Sequence, residues 1–69
     1  MTVVTYRVTV RGRIGERLAG AFSEMALEPG RGETTLVGEV ADQVQLHGLL
    51  DRISDFGLEL IRLERSENG

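Results

Sequence analysis

The sequence predicts an α+β domain whose elements follow the order β-α-β-β-α-β. Three observations support this order. Residues 4–11 alternate apolar and polar side chains, which is the pattern of a half-buried strand. Two later segments carry apolar residues at helical spacing, and each leads into a short stretch of strand composition. The sequence 22–28 at the end of the first helix returns in similar form as 53–59 at the end of the second, which indicates two related helix-to-strand halves.

The first strand leads into an amphipathic helix. Alternation directs the apolar side chains of the strand toward the core, namely those of Val4, Tyr6, Val8 and Val10. The outward positions are Thr5, Arg7, Thr9 and Arg11. Gly12 and Arg13 interrupt the alternation. The apolar stripe of the helix that follows comprises Ile14, Leu18, Ala21, Phe22 and Met25.

A short strand, a turn and a longer strand occupy the middle of the chain. Residues 26–28 form the short strand, and Pro29 with the two glycines that follow predicts a turn. Residues 33–40 return to strand composition. Gly38 within this strand indicates a bulge or the close approach of a helix.

The second helix has a capping signal at each end. Asp42 is placed to cap the first free amides, and Gln45 to reach back as in a capping box. Gly57 lies where a left-handed C-terminal cap is expected. The apolar stripe between the caps comprises Leu46, Leu49, Leu50, Ile53 and Phe56.

The last strand completes the fold. It covers residues 58–63, and the chain from Glu64 onward is expected to fray. We expect one domain over residues 1–65 and a polar tail at 66–69. Right-handed crossovers arrange these elements as a ferredoxin-like sandwich, a four-stranded antiparallel sheet with both helices on one face. The first and third strands then lie at the centre of the sheet, and the second and last strands at its edges.

Composition limits the possible functions. A chain of 69 residues without cysteine has a small core and no disulfides, so we expect stabilisation by self-association into a homodimer or higher oligomer. With a single histidine and no cysteine, we expect no metal site and no cofactor. The net charge of −3 argues against nucleic-acid binding. No apolar run reaches the roughly 18 residues of a membrane span and no signal peptide is evident, so we expect a cytoplasmic protein without membrane association.

Residues 42–64 resemble part of a known regulatory family. The run 48–54, Gly-Leu-Leu-Asp-Arg-Ile-Ser, followed by Gly57 and an apolar strand ending at Glu64, is similar to the strand-helix-strand half of ACT regulatory domains. In ACT domains this helix follows the first strand, whereas here it follows the third, so no ligand residues are transferred. The resemblance implies an oligomeric, non-catalytic module that binds a small ligand near the subunit boundary. The whole chain also resembles small stand-alone bacterial domains of this topology without an assigned function.

The titratable residues of the second helix lack a catalytic setting. Asp51 and Asp55 lie four residues apart on an exposed face, where nothing in the pattern desolvates them. His47 lies one turn before Asp51, but no motif places a serine or cysteine beside it as a nucleophile. We therefore expect no catalytic residues and interpret His47 as a surface or boundary residue, with a ligand-contacting or pH-sensing role as the alternative.

The turn before the first helix is a candidate small-ligand site. Free amides at a helix start and two neighbouring arginines favour an anion there, and the residues concerned are Arg11, Gly12, Arg13 and Gly15. The turn lacks the third glycine and the parallel βαβ context of a dinucleotide fingerprint. An ordinary strand-to-helix turn is the alternative.

The last strand is the candidate interface. Strict alternation places Leu58 and Leu60 on one face and Ile61 and Leu63 on the other, whereas an exposed edge strand normally has polar residues on one side. We expect another subunit to cover this strand, either by edge pairing or by face-to-face packing of sheets. Val37 of the third strand is included in the predicted interface.

Three functions of different classes remain open. The first is a non-enzymatic oligomeric interaction or regulatory module that binds a protein or a small ligand. The second is a small enzyme, or an accessory subunit, of the dimeric α/β-barrel kind, for which Tyr6, Arg7 and His47 are the only plausible polar groups. The third is RNA binding, which would need aromatic side chains on the open sheet face, whereas Tyr6 is expected to point inward.

Overall fold

The computed structural model describes residues 3–66 and contains the predicted α+β fold, with two helices on one face of a four-stranded antiparallel sheet. The elements are β1 (Val4–Arg11), α1 (Glu16–Ala21), β2 (Ala26–Pro29), β3 (Glu33–Val40), α2 (Gln43–Asp55) and β4 (Leu60–Ser66). The spatial order of the strands is β2-β3-β1-β4, and every neighbouring pair is antiparallel. The fold class and the central position of the first and third strands are therefore confirmed.

The core lies between the two central strands and the helical layer. Val8 on β1 is paired with Leu36 on β3, and both side chains are completely buried. Because side chains alternate along a strand, residues at even-numbered positions of both strands share this face. The buried core cluster consists of Val8, Val10, Phe22, Leu36, Leu49 and Ile53. This side of the sheet is called the helix side below, and the opposite side the open face.

The start of α2 has the predicted capping arrangement. The Asp42 carboxylate accepts a hydrogen bond of 2.8 Å from the backbone N–H of Gln45. The side-chain oxygen of Gln45 in turn accepts a hydrogen bond of 2.7 Å from the N–H of Ala41. The reciprocal bond of a capping box is thus present, displaced by one residue from the cap itself.

The end of α2 is a Schellman motif. Gly57 has φ of 72°, in the left-handed region, and its N–H donates to the carbonyl of Ser54 at 2.9 Å. The N–H of Leu58 donates to the carbonyl of Ile53 at 3.1 Å. Leu58 also packs against the core cluster to which Ile53 belongs, which is the apolar contact that accompanies this motif.

The first helix is shorter than its apolar stripe predicts, because α1 ends at Ala21. Phe22 is the C-cap, and its N–H donates to the carbonyl of Ala19 while its ring is completely buried. The chain then turns, and Met25 packs over Gly38 so closely that a Cβ at Gly38 would lie 2.9 Å from Met25 Cε. The buried Phe22 ring and the contact between Met25 and Gly38 thus hold the chain after α1 against the sheet. The prediction of a close approach at Gly38 is confirmed, although the contact comes from a turn and not from a helix.

The last strand begins later and ends later than predicted. It starts at Leu60, and Glu64 and Ser66 are paired with Arg7 and Thr5 of β1. The prediction that the chain frays from Glu64 onward is therefore wrong for residues 64–66, because the hydrogen-bonded ladder with β1 continues through them. The remainder of the predicted tail, 67–69, lies outside the described residues.

Arg52 joins the two helical segments. Its Nη1 donates to the carbonyl of Ala21 at 2.6 Å and to the Glu24 carboxylate at 2.9 Å. The guanidinium carbon lies 5.4 Å from the centre of the Phe22 ring. Phe22 also meets Phe56 edge to face, with ring centroids 6.0 Å apart. A single side chain of α2 thus holds the end of α1 and the turn that follows it.

Two glycines of the α2 region should respond oppositely to alanine. Gly57→Ala places a Cβ in the left-handed region and should lower the free energy of unfolding by about 1 kcal/mol. Gly48→Ala, inside the helix with no atom within 4 Å of the new Cβ, should raise it by about 0.5–1 kcal/mol. Urea unfolding followed by circular dichroism measures both. A change of the same sign in the two variants would contradict the assigned C-cap.

Replacing Arg52 should destabilise the domain. Arg52→Met keeps the apolar stem and the helix propensity but removes both hydrogen bonds and the contact of the cation with Phe22, so the free energy of unfolding should fall by about 1 kcal/mol. Arg17→Met is the matched control, because Arg17 is exposed on α1. Equal effects of the two substitutions in the same urea titration would show that Arg52 does not join the helices.

Candidate interaction surface

β4 is the strand with the least cover from the helices. All seven of its residues are exposed, and none belongs to the core cluster. Its three large apolar side chains remain substantially accessible, at 44% for Leu60, 38% for Ile61 and 40% for Leu63. Apolar side chains grouped on one exposed edge strand make this strand a candidate interaction surface.

A β-bulge changes the faces on which these side chains lie. Arg62 is paired with Thr9 and Leu60 with Val10, so Ile61 is an extra residue on β4. Leu60 therefore lies on the helix side, as does Leu63, which is paired with Val8. The predicted separation of Leu60 and Leu63 onto opposite faces is wrong, because one extra residue reverses the alternation beyond it.

The predicted interface residues do not form one continuous surface. Leu60, Ile61 and Leu63 adjoin one another on the edge strand. Leu58 is half-buried and packs against the core. Val37 is half-buried on the open face, where it is paired with Arg7. The candidate surface, called the β4 edge below, therefore consists of Leu60–Ser66.

The open face carries a network of ion pairs between arginines and glutamates. The ion pairs and their N···O distances are Arg7–Glu28 (2.8 Å), Arg11–Glu59 (3.1 Å), Arg62–Glu64 (3.3 Å) and Arg62–Glu33 (3.9 Å). Between them the hydroxyls of Thr9 and Thr35 lie 3.0 Å apart, and Thr9 is completely buried although it points away from the core. Exposed pairs of this kind contribute little stability each, on the order of 0–1 kcal/mol. They do make the open face polar.

The sequence repeat has a counterpart in these contacts. Phe22 and Ile53, at equivalent positions, are both buried, and each repeat ends in a glutamate that pairs with an arginine of β1. The backbones differ, because only the second copy forms a Schellman motif around a glycine. The two halves are therefore related in side-chain contacts and not in helix length.

The predicted ligand turn makes most of its polar contacts within the fold. Arg11 is paired with Glu59. The N–H of Gly12 donates to the carbonyl of Gly32 at 2.7 Å, and the carbonyl of Gly12 accepts from the Thr34 hydroxyl at 3.0 Å. These contacts hold the turn against the loop that precedes β3.

The other two residues of this turn are exposed. Gly15 is the N-cap of α1, a helix of only six residues. Arg13 borders an open groove of about 410 Å³, and no ion pair involves it within the described part of the chain. The remaining residues that line this groove are Ile14, Leu27, Pro29 and Thr34. Ligand binding at this turn stays a prediction.

The polar groups considered for catalysis do not converge. Tyr6 is on the helix side, paired with Gly38, whereas Arg7 is on the open face and paired with Glu28. His47 is exposed on α2, as are Asp51 and Asp55. Among residues 3–66 no group of three or more histidines, aspartates and glutamates could hold a metal ion.

Sequence reasoning missed the charges of β4 as part of the surface. Arg62 and Glu64 lie on the open face, on either side of Leu63, at positions paired with Thr9 and Arg7. The signal is the run Arg62-Leu63-Glu64, in which two opposite charges flank an apolar residue. The predicted frayed tail begins at Glu64 and so separates this residue from the strand that contains Arg62.

Comparison with known proteins gives one family. The model of a domain of unknown function, DUF8691, matches residues 5–64. The chain belongs to the DUF8691 family. The match extends from β1 to β4, whereas the ACT resemblance is confined to residues 42–64 and has no support from this family. No curated protein and no solved structure matches the chain. Within the described residues, no helix is long and apolar enough to cross a membrane.

Proposed function

We propose that this domain is a non-enzymatic interaction module that works as a homodimer, joined through the β4 edge. The observation that carries the proposal is the exposure of β4 over its whole length, together with the three large apolar side chains at 38–44% exposure. A seven-residue edge strand presents a row of backbone donors and acceptors to a second strand. Pairing with a second copy would satisfy that row and cover the leucines.

Edge pairing is favoured over face-to-face packing by the nature of the open face. The central strands present arginine, glutamate and threonine there, with Val37 as the only large apolar side chain. Packing two such faces together would remove water from ion pairs that are now exposed. The free-energy cost of this desolvation can exceed the attraction between the paired charges. Neither β1 nor β3 places an aromatic side chain on this polar face, because Tyr6 lies on the helix side, so the face gives no support to an enclosed catalytic cavity or to RNA stacking.

The small core gives a physical reason for association. Only eight apolar side chains are buried among the described residues, and helix α1 buries none. A domain of this size has a small margin of stability, and a dimer adds buried apolar area without lengthening the chain. The proposal includes a location in the cytoplasm, and the ACT resemblance adds a regulatory role in which a small ligand is held near the subunit boundary.

Light scattering coupled to size-exclusion chromatography tests the proposal. The wild-type chain should elute with twice its mass of 7.6 kDa. Leu63→Glu should shift the mass to that of one chain, because a carboxylate at the centre of the β4 edge cannot be buried without a partner. Val44→Glu is the matched control, because Val44 is 80% exposed on α2 and lies outside the β4 edge.

Circular dichroism of both variants separates dissociation from unfolding. Leu63 is 40% exposed in the single chain, so its replacement should leave the helical signal intact. A monomeric wild-type chain at micromolar concentrations would overturn the proposal. So would a Leu63→Glu variant that is folded and still dimeric.

A further inference from the structure

We infer that two copies of the β4 edge pair in one register, antiparallel, about a twofold axis that passes at Leu63. The inference rests on the proposed homodimer and specifies which residues meet across it. The order of charges along β4 and the faces on which these charges lie support this register.

The symmetry of a strand pair limits the possible registers. A twofold axis that makes two copies of one strand antiparallel neighbours in one sheet is perpendicular to that sheet. In a regular strand, each residue then lies opposite the residue equally far from the axis on the other copy, and both side chains are on the same face. The axis must therefore pass at one residue. Leu63 is the middle residue of Leu60–Ser66, and because Ile61 is an extra residue in a bulge, the rule applies directly to residues 62–64.

The register centred on Leu63 pairs opposite charges. Arg62 of each copy lies opposite Glu64 of the other, and both side chains are on the open face. Twofold symmetry gives two such pairs. Directly opposed charges of opposite sign stabilise neighbouring strands, and like charges destabilise them.

The neighbouring registers place like charges together. An axis at Arg62 sets that arginine opposite its own copy, and an axis at Glu64 does the same with two carboxylates. An axis at Arg65 again opposes two arginines and leaves most of the strand unpaired. An axis at Ile61 falls on the bulge, where the regular ladder is interrupted. Among these alternatives, charge therefore selects the register at Leu63.

The geometry within one chain already suits this register. The Arg62 guanidinium lies 3.3 Å from Glu64 and 3.9 Å from Glu33 of the same chain, which holds it over the open face. The second copy would add one more carboxylate beside it. On the helix side, the axis brings the two Leu63 side chains together, and each is 40% exposed in the single chain. One register thus combines apolar contact on one face with charge pairing on the other.

A charge-swap experiment with mixed variants tests the register. Arg62→Glu places two carboxylates opposite each other at both symmetric positions, and Glu64→Arg does the same with two arginines. Each variant alone should dimerise at least about tenfold more weakly than the wild type, as measured by sedimentation velocity. An equimolar mixture of the two should recover dimers, because every opposed pair then has opposite charges. The double variant Arg62→Glu with Glu64→Arg should also recover them.

The controls carry the same charge changes elsewhere. Arg17→Glu and Asp51→Arg alter exposed residues of α1 and α2 by the same amounts and should leave the dimer unchanged. Circular dichroism verifies that each variant is folded.

The outcomes separate the register from the proposed function. If the wild type is a dimer that Leu63→Glu dissociates, but mixing the two single variants recovers nothing, self-association stands and this register is wrong. If the wild type is a monomer, both the proposed function and the register are wrong. Recovery in the mixture but not in either single variant is the result that this register predicts.

Discussion

The helices of this domain cover the central strands of its sheet and leave β4 exposed, and the candidate interaction surface follows from this uneven cover. Helix α1 has six residues and buries none of them, so α2 supplies the helical cover through Leu46, Leu49 and Ile53. This cover reaches the central strands, where Val8 and Leu36 are completely buried. It does not reach β4, whose residues all remain exposed. The exposed leucines of the edge strand therefore lie outside the helical cover.

The short first helix is compensated by a cluster built around one arginine. Phe22, directly after α1, fills the core position that a further helical turn would occupy, and Phe56 packs against the edge of its ring. Arg52 lies over the same ring and bonds to the carbonyl of Ala21 at the end of the helix. An orphan carbonyl at a helix end is costly when it is left without a donor. The cluster therefore completes α1 as well as joining it to α2.

Local signals decided how much of this fold the sequence could predict. β1 and β3 were predicted with their observed limits because alternation and strand composition operate residue by residue. The caps of α2 were predicted because Asp42 and Gly57 have specific backbone roles. The length of α1 could not be predicted from the sequence, because its end depends on the burial of Phe22 in the core formed with the central strands. The faces on which the β4 side chains lie could not be predicted from the sequence, because the bulge at Ile61 arises from pairing with β1 and leaves no composition signal. The charged part of the candidate surface also depends on pairing with β1, because that ladder extends the strand beyond Glu64.

An exposed edge strand can template aggregation as well as specific pairing. The two edges of this sheet differ in length and in their backbone donors, and this difference decides whether association would stop at two chains. The edge formed by β2 has four residues and ends at Pro29, which has no N–H to donate. The β4 edge has seven residues, and its charges are complementary to themselves when a second copy is turned by a half rotation. A twofold-symmetric dimer uses the β4 edge of each copy, so only the short β2 edges remain unpaired at the two ends of the joined sheet. The proposed association through β4 would therefore close at two chains, whereas two equally receptive edges would allow the sheet to extend without limit.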